Sequence, residues 1–352
     1  MLFLHFDIIT LDQDLSRFFL PYFLPEDIVV IAPLNWGLGH ASRCIPLIRV
    51  LERHCRKVII ATDGAAKLLL TKEFPNLDMY ELPDYGIQYK YGSIFLNILV
   101  SLPTIMRAVQ KERILAKLIV KTSGATVILS DNRLGFRANG LRNFYLTHQI
   151  NILHANKMIA DIGSVIHHWF IKKFDLCFVP DYNGEKAICP ALSHHQNLPL
   201  QYIGPLTRIK NLNLPKKYDI CVLLSGTEPQ RSRLEYLLLK ELNTLEQFKI
   251  LLIRGTDIGV NLKLIGRNIT VNNLLTSSDI EIALNTSRLL ISRSGYSTIM
   301  DIYGLEIKAI FIPTPGQTEQ EYLAKKCDDH LKYFSINQNE IKKLNETIKY
   351  LI

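Results

Sequence analysis

Cysteine is scarce and unpaired in this chain. The six residues, Cys44, Cys55, Cys177, Cys189, Cys221 and Cys327, never fall in a C-x-x-C spacing. That argues against a zinc site or a disulfide framework and fits a reducing, cytoplasmic compartment. Long apolar tracts are missing too. The most apolar stretch, Ile94–Val109, is shorter than the about 20 residues a spanning helix needs, and Pro103 interrupts it. Lys90, Arg107, Lys111 and Arg113 flank it, so both a core helix and an interfacial patch on anionic lipid stay open. Residues 1–25 lack a basic n-region and a small-residue cleavage site, and carry Asp7, Asp12 and Asp14; they read as an N-terminal extension, not a signal peptide. DNA- and RNA-binding motifs are also lacking. The net charge of +8 therefore points to an anionic substrate or an anionic membrane surface, not to nucleic acid.

What is present suffices for two cores, since a single core stops growing at roughly 250–300 residues and this chain has 352, 48% of them apolar. Short β-branched runs alternate with longer helical stretches, the pattern of parallel α/β sheets. Strands are expected at 28–34, 57–61, 126–129, 143–147, 176–179, 219–224, 249–253, 269–271, 288–291 and 309–312. Helices are expected at 40–54, 63–72, 94–121, 155–173, 230–243, 278–286, 296–304 and 318–330. Gly204–Arg208 and the polar run to Lys217 form the natural linker. The expected organisation is an extension (1–25), a first α/β domain (26–205), a second (206–335) and a C-terminal helix (336–352) that packs back on the first domain.

Two turns carry the most information. Asn35-Trp36-Gly37-Leu38-Gly39-His40-Ala41-Ser42-Arg43 follows one apolar run, and Ser292-Arg293-Ser294-Gly295-Tyr296-Ser297-Thr298 follows another. Each reads as strand, glycine turn, helix, an arrangement that aims backbone N–H groups at an anion. A dinucleotide-binding turn is disfavoured for the first: its third glycine is replaced, and the next strand ends in Ala61-Thr62 without an acid. Its Gly37 and Gly39 are candidate ligand contacts, as is Arg43. His40, at the mouth of the helix, is a candidate base, because a helix N-terminus disfavours the imidazolium. Pro46 is expected to kink that helix. Asp131 ends a strand and is placed to orient His40; an N-cap role is its plain alternative. His148 ends the next strand. In the second half, Ser225 and Gly226 end a strand in a turn able to wrap a phosphate, and Arg208 is placed to reach a diphosphate. Ser297, Asp301, Gln317, Gln320 and Glu321 offer partners to a ribose and a sugar.

The segment Ser292–Ala324 resembles the donor-site signature of family 28 glycosyltransferases, whose best-known member adds N-acetylglucosamine to lipid I. The turn Gly37–His40 resembles the family's N-terminal glycine-rich loop, in the G-x-G-H-x-x-R variant also seen in a UDP-sugar hydrolase of pseudaminic acid synthesis. The resemblance implies the GT-B fold, two Rossmann-like doubly wound domains facing across a cleft. By position it implies that Ser294 and Gly295 meet the diphosphate, with Ser225 and Gly226 near the nucleotide. Asp301 stands in place of a ribose-binding glutamate. Gln320 is the first of a Gln-Gln pair whose second member is here Glu321, and Arg208 closes a degenerate Gly-Asn-Pro-Val-Arg motif. The implied activity is transfer of a hexose or N-acetylhexosamine from a UDP-sugar to a lipid-linked or cell-envelope glycan at the inner face of the plasma membrane. Inversion is expected, with no metal and no cofactor beyond the donor. A nucleotide-sugar hydrolase or epimerase and an inactive nucleotide-sugar-binding protein are the alternatives.

Overall fold

The computed structural model describes residues 9–86, 94–256, 259 and 265–352, with side chains of 94–100 and of those before 13 excepted. The chain divides into two compact units. The earlier holds the described residues up to 35 and then 40–206; the later holds 36–39 and 207–352.

In the earlier unit the elements run α1 (Ile9–Phe18), β1 (Ile28–Pro33), α2 (Gly39–His54), β2 (Lys57–Thr62), α3 (Gly64–Glu73), β3 (Asp78–Glu81) and α4 (Ile94–Ser123). They continue with β4 (Val127–Asp131), β5 (Arg142–Leu146), α5 (Lys157–Ile171), β6 (Leu176–Val179), α6 (Pro190–Ser193) and β7 (Leu200–Tyr202). The strands form one parallel sheet in the order β3-β2-β1-β4-β5-β6-β7. Buried aliphatic runs such as Val29–Ala32 form its centre, as a sheet covered on both faces requires. Ala116 and Ile119 of α4 pack on Val30, Ile59 and Ile128, and Ile171 of α5 packs on Tyr145 and Cys177. Pairing of Ile128 with Asn143 puts 128, 143 and 145 on one side, so α4 and α5 cover the same face. Helix α2 runs through Pro46 as one helix.

The N-terminal segment is not a loose extension. Leu15, Phe19 and Phe23 are buried, and Phe19 and Phe23 stack into Phe144 and Phe178 at centroid distances of 4.9–5.4 Å. The 94–109 stretch opens α4; the side chains of 94–100, and Lys90, lie outside the described residues. Among those described, no helix is long and apolar enough to cross a membrane.

The later unit runs β8 (Tyr218–Leu223), α7 (Gln230–Leu242), β9 (Ile250–Ile253), β10 (Ile269–Asn272), α8 (Ser277–Asn285), β11 (Ser287–Ser292), α9 (Tyr296–Ile302), β12 (Lys308–Phe311), α10 (Thr318–Cys327), β13 (Tyr333–Ser335) and α11 (Leu344–Leu351). Its sheet is also parallel, in the order β10-β9-β8-β11-β12-β13. Helix α11 buries Leu344, Ile348 and Leu351 in this unit's core, beside Leu238 and Leu242 of α7. The C-terminal segment thus contributes to the later unit's core, its apolar stripe packing beside α7.

Candidate functional site

In each sheet the chain winds outward one way, returns to the centre and winds out the other way. The reversal falls between β1 and β4 in the earlier unit and between β8 and β11 in the later one. Loops leaving the carboxyl ends of such strand pairs diverge and leave a crevice for ligand. All four of the main candidate turns leave these ends.

In the earlier unit, Ala32↔Ser130 and Pro33↔Asp131 pairing brings the start of α2 beside Asp131. His40 Nδ1 lies 3.1 Å from Asp131 Oδ1. Arg43 Nε donates to Asp131 Oδ2 at 2.9 Å, and its Nη2 donates to Oδ1. Arg43 Nη2 also sits 2.9 Å from His40 Nδ1, and Nη1 donates to His148 Nδ1 at 2.8 Å. A guanidinium only donates, so His148 Nδ1 accepts and its proton is on Nε2. Arg43 Nη2 carries two N–H groups, so the contacts at His40 Nδ1 fit either tautomer; the one in which Nδ1–H donates to Asp131 leaves the lone pair on Nε2. Burial would raise the Asp131 carboxyl, but Arg43 and His40 hold it well below the usual range. Burial pulls His40 below its ordinary value, with Asp131 opposing and Arg43 adding to the shift. The neutral imidazole is therefore the resting form. Arg43 and His148, expected as ligand contacts, are buried and joined in this cluster; the guanidinium positions His40.

Two supports were not foreseen. Asn35 Nδ2 donates to Asp63 Oδ2 at 3.0 Å, and its Oδ1 accepts from Ala66 N at 3.2 Å, pinning the entry to the turn. Arg133, fully buried, pairs with Asp63 and, at 2.8 Å, with Glu112, and its Nε donates to Pro33 O at 3.0 Å. Gly37 adopts φ +77°, which glycine tolerates freely. Within the later unit, as divided above, the Gly39 carbonyl accepts from Ser297 Oγ at 2.9 Å.

Also in the later unit, Ser292 pairs with Leu223 on one side and Phe311 on the other, so the Ser225–Gly226, Ser294–Gly295 and Thr314–Gln317 turns emerge side by side. Their side chains serve one another more than expected. Ser294 Oγ donates to Gln320 O at 2.7 Å, Gln320 Oε1 accepts from Thr314 N at 2.8 Å, and Glu321 Oε1 accepts from Gly316 N at 2.9 Å. Asp301, expected to accept from a ribose, pairs with Arg208, expected at the diphosphate. Both are buried, and a carboxylate and a guanidinium so placed satisfy each other. Gln317 caps α10 through its backbone without a side-chain cap bond. Arg293, passed over in the sequence, is buried and donates to Ile312 O and Pro313 O at 3.0 Å, Gln230 O at 3.1 Å and Gln338 Oε1 at 2.7 Å. Burial pulls it down to about 10, which leaves it charged at neutral pH. It stitches the three turns together; its only sequence signal was its place inside the turn.

The sequence also holds an Asp-x-Asp triplet, Asp12-Gln13-Asp14, in α1, where Asp14 approaches Gly204 beyond β7. No group of His, Cys, Asp and Glu suited to a metal occurs among the described residues.

Two doubly wound parallel sheets, each with glycine turns at its reversal point, define the GT-B class. Residues 220–352 match the glycosyltransferase family 28 C-terminal domain. Solved structures agree on the fold. Phytolacca americana UGT2, complexed with UDP-2fluoro-glucose and pterostilbene, is 14% identical over 94% of this chain and 90% of its own, TM-score 0.60. A UDP-glucosyltransferase from Polygonum tinctorium that glucosylates indoxyl is 13% identical over 93% and 89%, TM-score 0.60. Acinetobacter baumannii MurG is 14% identical over 93% and 90%, TM-score 0.51. A search of curated protein sequences gives no match. The chain has the GT-B fold of these glycosyltransferases, and the match over residues 220–352 places the family 28 signature in its later unit.

Proposed function

We propose that this enzyme moves a hexose or N-acetylhexosamine from a UDP-sugar to a lipid-linked or cell-envelope glycan at the cytoplasmic membrane face, with inversion and without a metal ion. The observation that carries this reading is the pairing of half-buried His40 with buried Asp131 at a reversal point of the sheet. His40 Nε2 takes the proton of an acceptor hydroxyl, whose oxygen attacks the anomeric carbon. The bond from that carbon to the diphosphate breaks, and the electron pair leaves with UDP. Backbone N–H groups of the Ser294–Gly295 and Ser225–Gly226 turns stabilise the departing charge. In this reading His40 donates Nδ1–H to Asp131 and presents Nε2 as the base.

The test is a panel of UDP-, GDP- and dTDP-sugars scored by thermal stabilisation, then transfer assays with envelope lipids. A donor at 100 times its dissociation constant adds about 2.7 kcal/mol. Stabilisation by UDP-sugars and transfer abolished by His40→Ala are expected. No transfer to any acceptor, or activity indifferent to His40→Ala, overturns the mechanism; free sugar released without acceptor marks a hydrolase instead.

A further inference from the structure

The turn Ser130-Asp131-Asn132-Arg133 holds both ends of the glycine turn that carries His40. Asp131 pairs with His40 and Arg43 at the start of α2. Arg133 Nε donates to the carbonyl of Pro33, the last residue of β1, at 3.0 Å, and its Nη2 pairs with Asp63, which also accepts from Asn35. Ser130 Oγ closes the turn by donating to Arg133 O at 2.6 Å, and Asn132 N donates to Leu146 O at 3.3 Å, at the end of β5. Asn132 is thus fixed between two side chains that are committed to the scaffold. Its backbone is left-handed, with φ +55°, a conformation that glycine takes freely and asparagine tolerates. The bend alone asks only for glycine. This position carries an amide, and the amide is anchored: fully buried Tyr145 donates its hydroxyl to Asn132 Oδ1 at 3.2 Å. Non-glycine backbone of this kind, held by its surroundings, concentrates at ligand sites. Asn132 also follows, by one residue, the carboxylate that pairs with His40, at the reversal point between β1 and β4.

We propose that Asn132 binds the acceptor. With its oxygen held by a buried hydroxyl, this half-buried amide turns its Nδ2 outward, and Nδ2 donates to an acceptor oxygen beside the hydroxyl whose proton His40 takes. A donor so placed selects an acceptor with two neighbouring oxygens, as on a sugar ring, over a lone alcohol or phenol. Without the second oxygen the positioned donor loses its partner. Tyr145 acts through Asn132 as a positioning residue, setting which way round the amide sits. The proposal rests on the reading of His40 as base and adds to it the group that orients the reacting hydroxyl toward Nε2.

Octyl glycosides of glucose, galactose and N-acetylglucosamine, each with its monodeoxy derivatives, serve as acceptor probes beside 1-octanol, with the UDP-sugar that best stabilises the protein as donor. Transfer to a glycoside, abolished by His40→Ala, is expected. On the derivative lacking the oxygen beside the reacting hydroxyl, kcat/KM should fall about tenfold. Asn132→Gly keeps the left-handed backbone, so it should fold and keep its stabilisation by the UDP-sugar. It should use the complete glycoside and that derivative equally, both at the parent's lower rate. Tyr145→Phe should narrow the difference between them, and a parental difference in this variant removes its positioning role. A parental difference in Asn132→Gly, or 1-octanol used as well as the glycosides, overturns the proposal while the His40 dependence stands. Transfer to no glycoside overturns it too. Transfer indifferent to His40→Ala removes the base reading and this inference with it.

Discussion

Arg208 and Asp301 close on each other inside the later unit: Nε to Oδ2 is 3.2 Å, and the Arg208 backbone N–H donates to Oδ1 at 3.3 Å. Their side chains are only 8% and 6% exposed. Burial raises the Asp301 carboxyl and Arg208 opposes the shift, so the pair stands or falls together. Asp301→Ala should therefore cost about 3–5 kcal/mol by stranding a buried cation. Arg208→Met added to it should recover part of the loss, a coupling that a double-mutant cycle by chemical denaturation measures. Lost UDP affinity at unchanged stability would restore Asp301 to the ribose.

The His40 cluster predicts opposed shifts in pH–rate profiles. His40→Ala should lower kcat by about 10²–10⁴. The acid limb of kcat/KM should fall below the usual imidazole value, because burial depresses His40. Asp131→Asn removes a charge that favours the imidazolium and should move the limb lower while slowing the reaction. Arg43→Gln removes a charge that disfavours it and should move the limb higher. Shifts of the same sign in both variants would contradict the arrangement.

Acid should destabilise the fold through His167. Burial lowers this imidazole to about 4, and its Nε2 lies 3.4 Å from the Tyr145 hydroxyl. An unfolded histidine titrates near about 6.5, so between that value and about 4 the unfolded chain holds the extra proton. Stability is then complete above about 6.5 and declines as the pH drops, by on the order of 3 kcal/mol at pH 4. His167→Gln should flatten that decline in urea melts run from pH 7 to 4.

Two glycines of the later unit's turns should separate backbone strain from ligand space. Gly226 holds φ +108°, a region closed to side chains, although nothing lies within 4 Å of a Cβ built there. Gly226→Ala should cost roughly 1–3 kcal/mol and lower the melting temperature. Gly295 holds φ −73° and also has open space. Gly295→Ala should melt like the parent yet lose stabilisation by UDP-sugars, since its methyl would occupy the place proposed for the diphosphate.

The central strands were legible because each is a buried aliphatic run. The strands absent from the sequence reading, β3, β7 and β13, all lie at sheet edges. Asp78–Glu81 and Leu200–Tyr202 are half-wet and carry little apolar pattern to read. The locations of the site turns were legible for the same reason as the strands that lead to them. The commitments of their polar side chains were not. Ser294, Gln320, Arg43 and Asp301 have the chemistry to hold a ligand or to hold a loop, and only the distances decide. Here each of them pairs with a neighbouring group of its own unit.

The aromatic packing of Phe19 and Phe23 against Phe144 and Phe178 has a practical corollary. A chain begun at residue 26, where the alternating pattern starts, would strip the lid from two phenylalanine rings of the central sheet. Such a truncation should express as inclusion bodies, whereas a start upstream of Leu15 should yield soluble material.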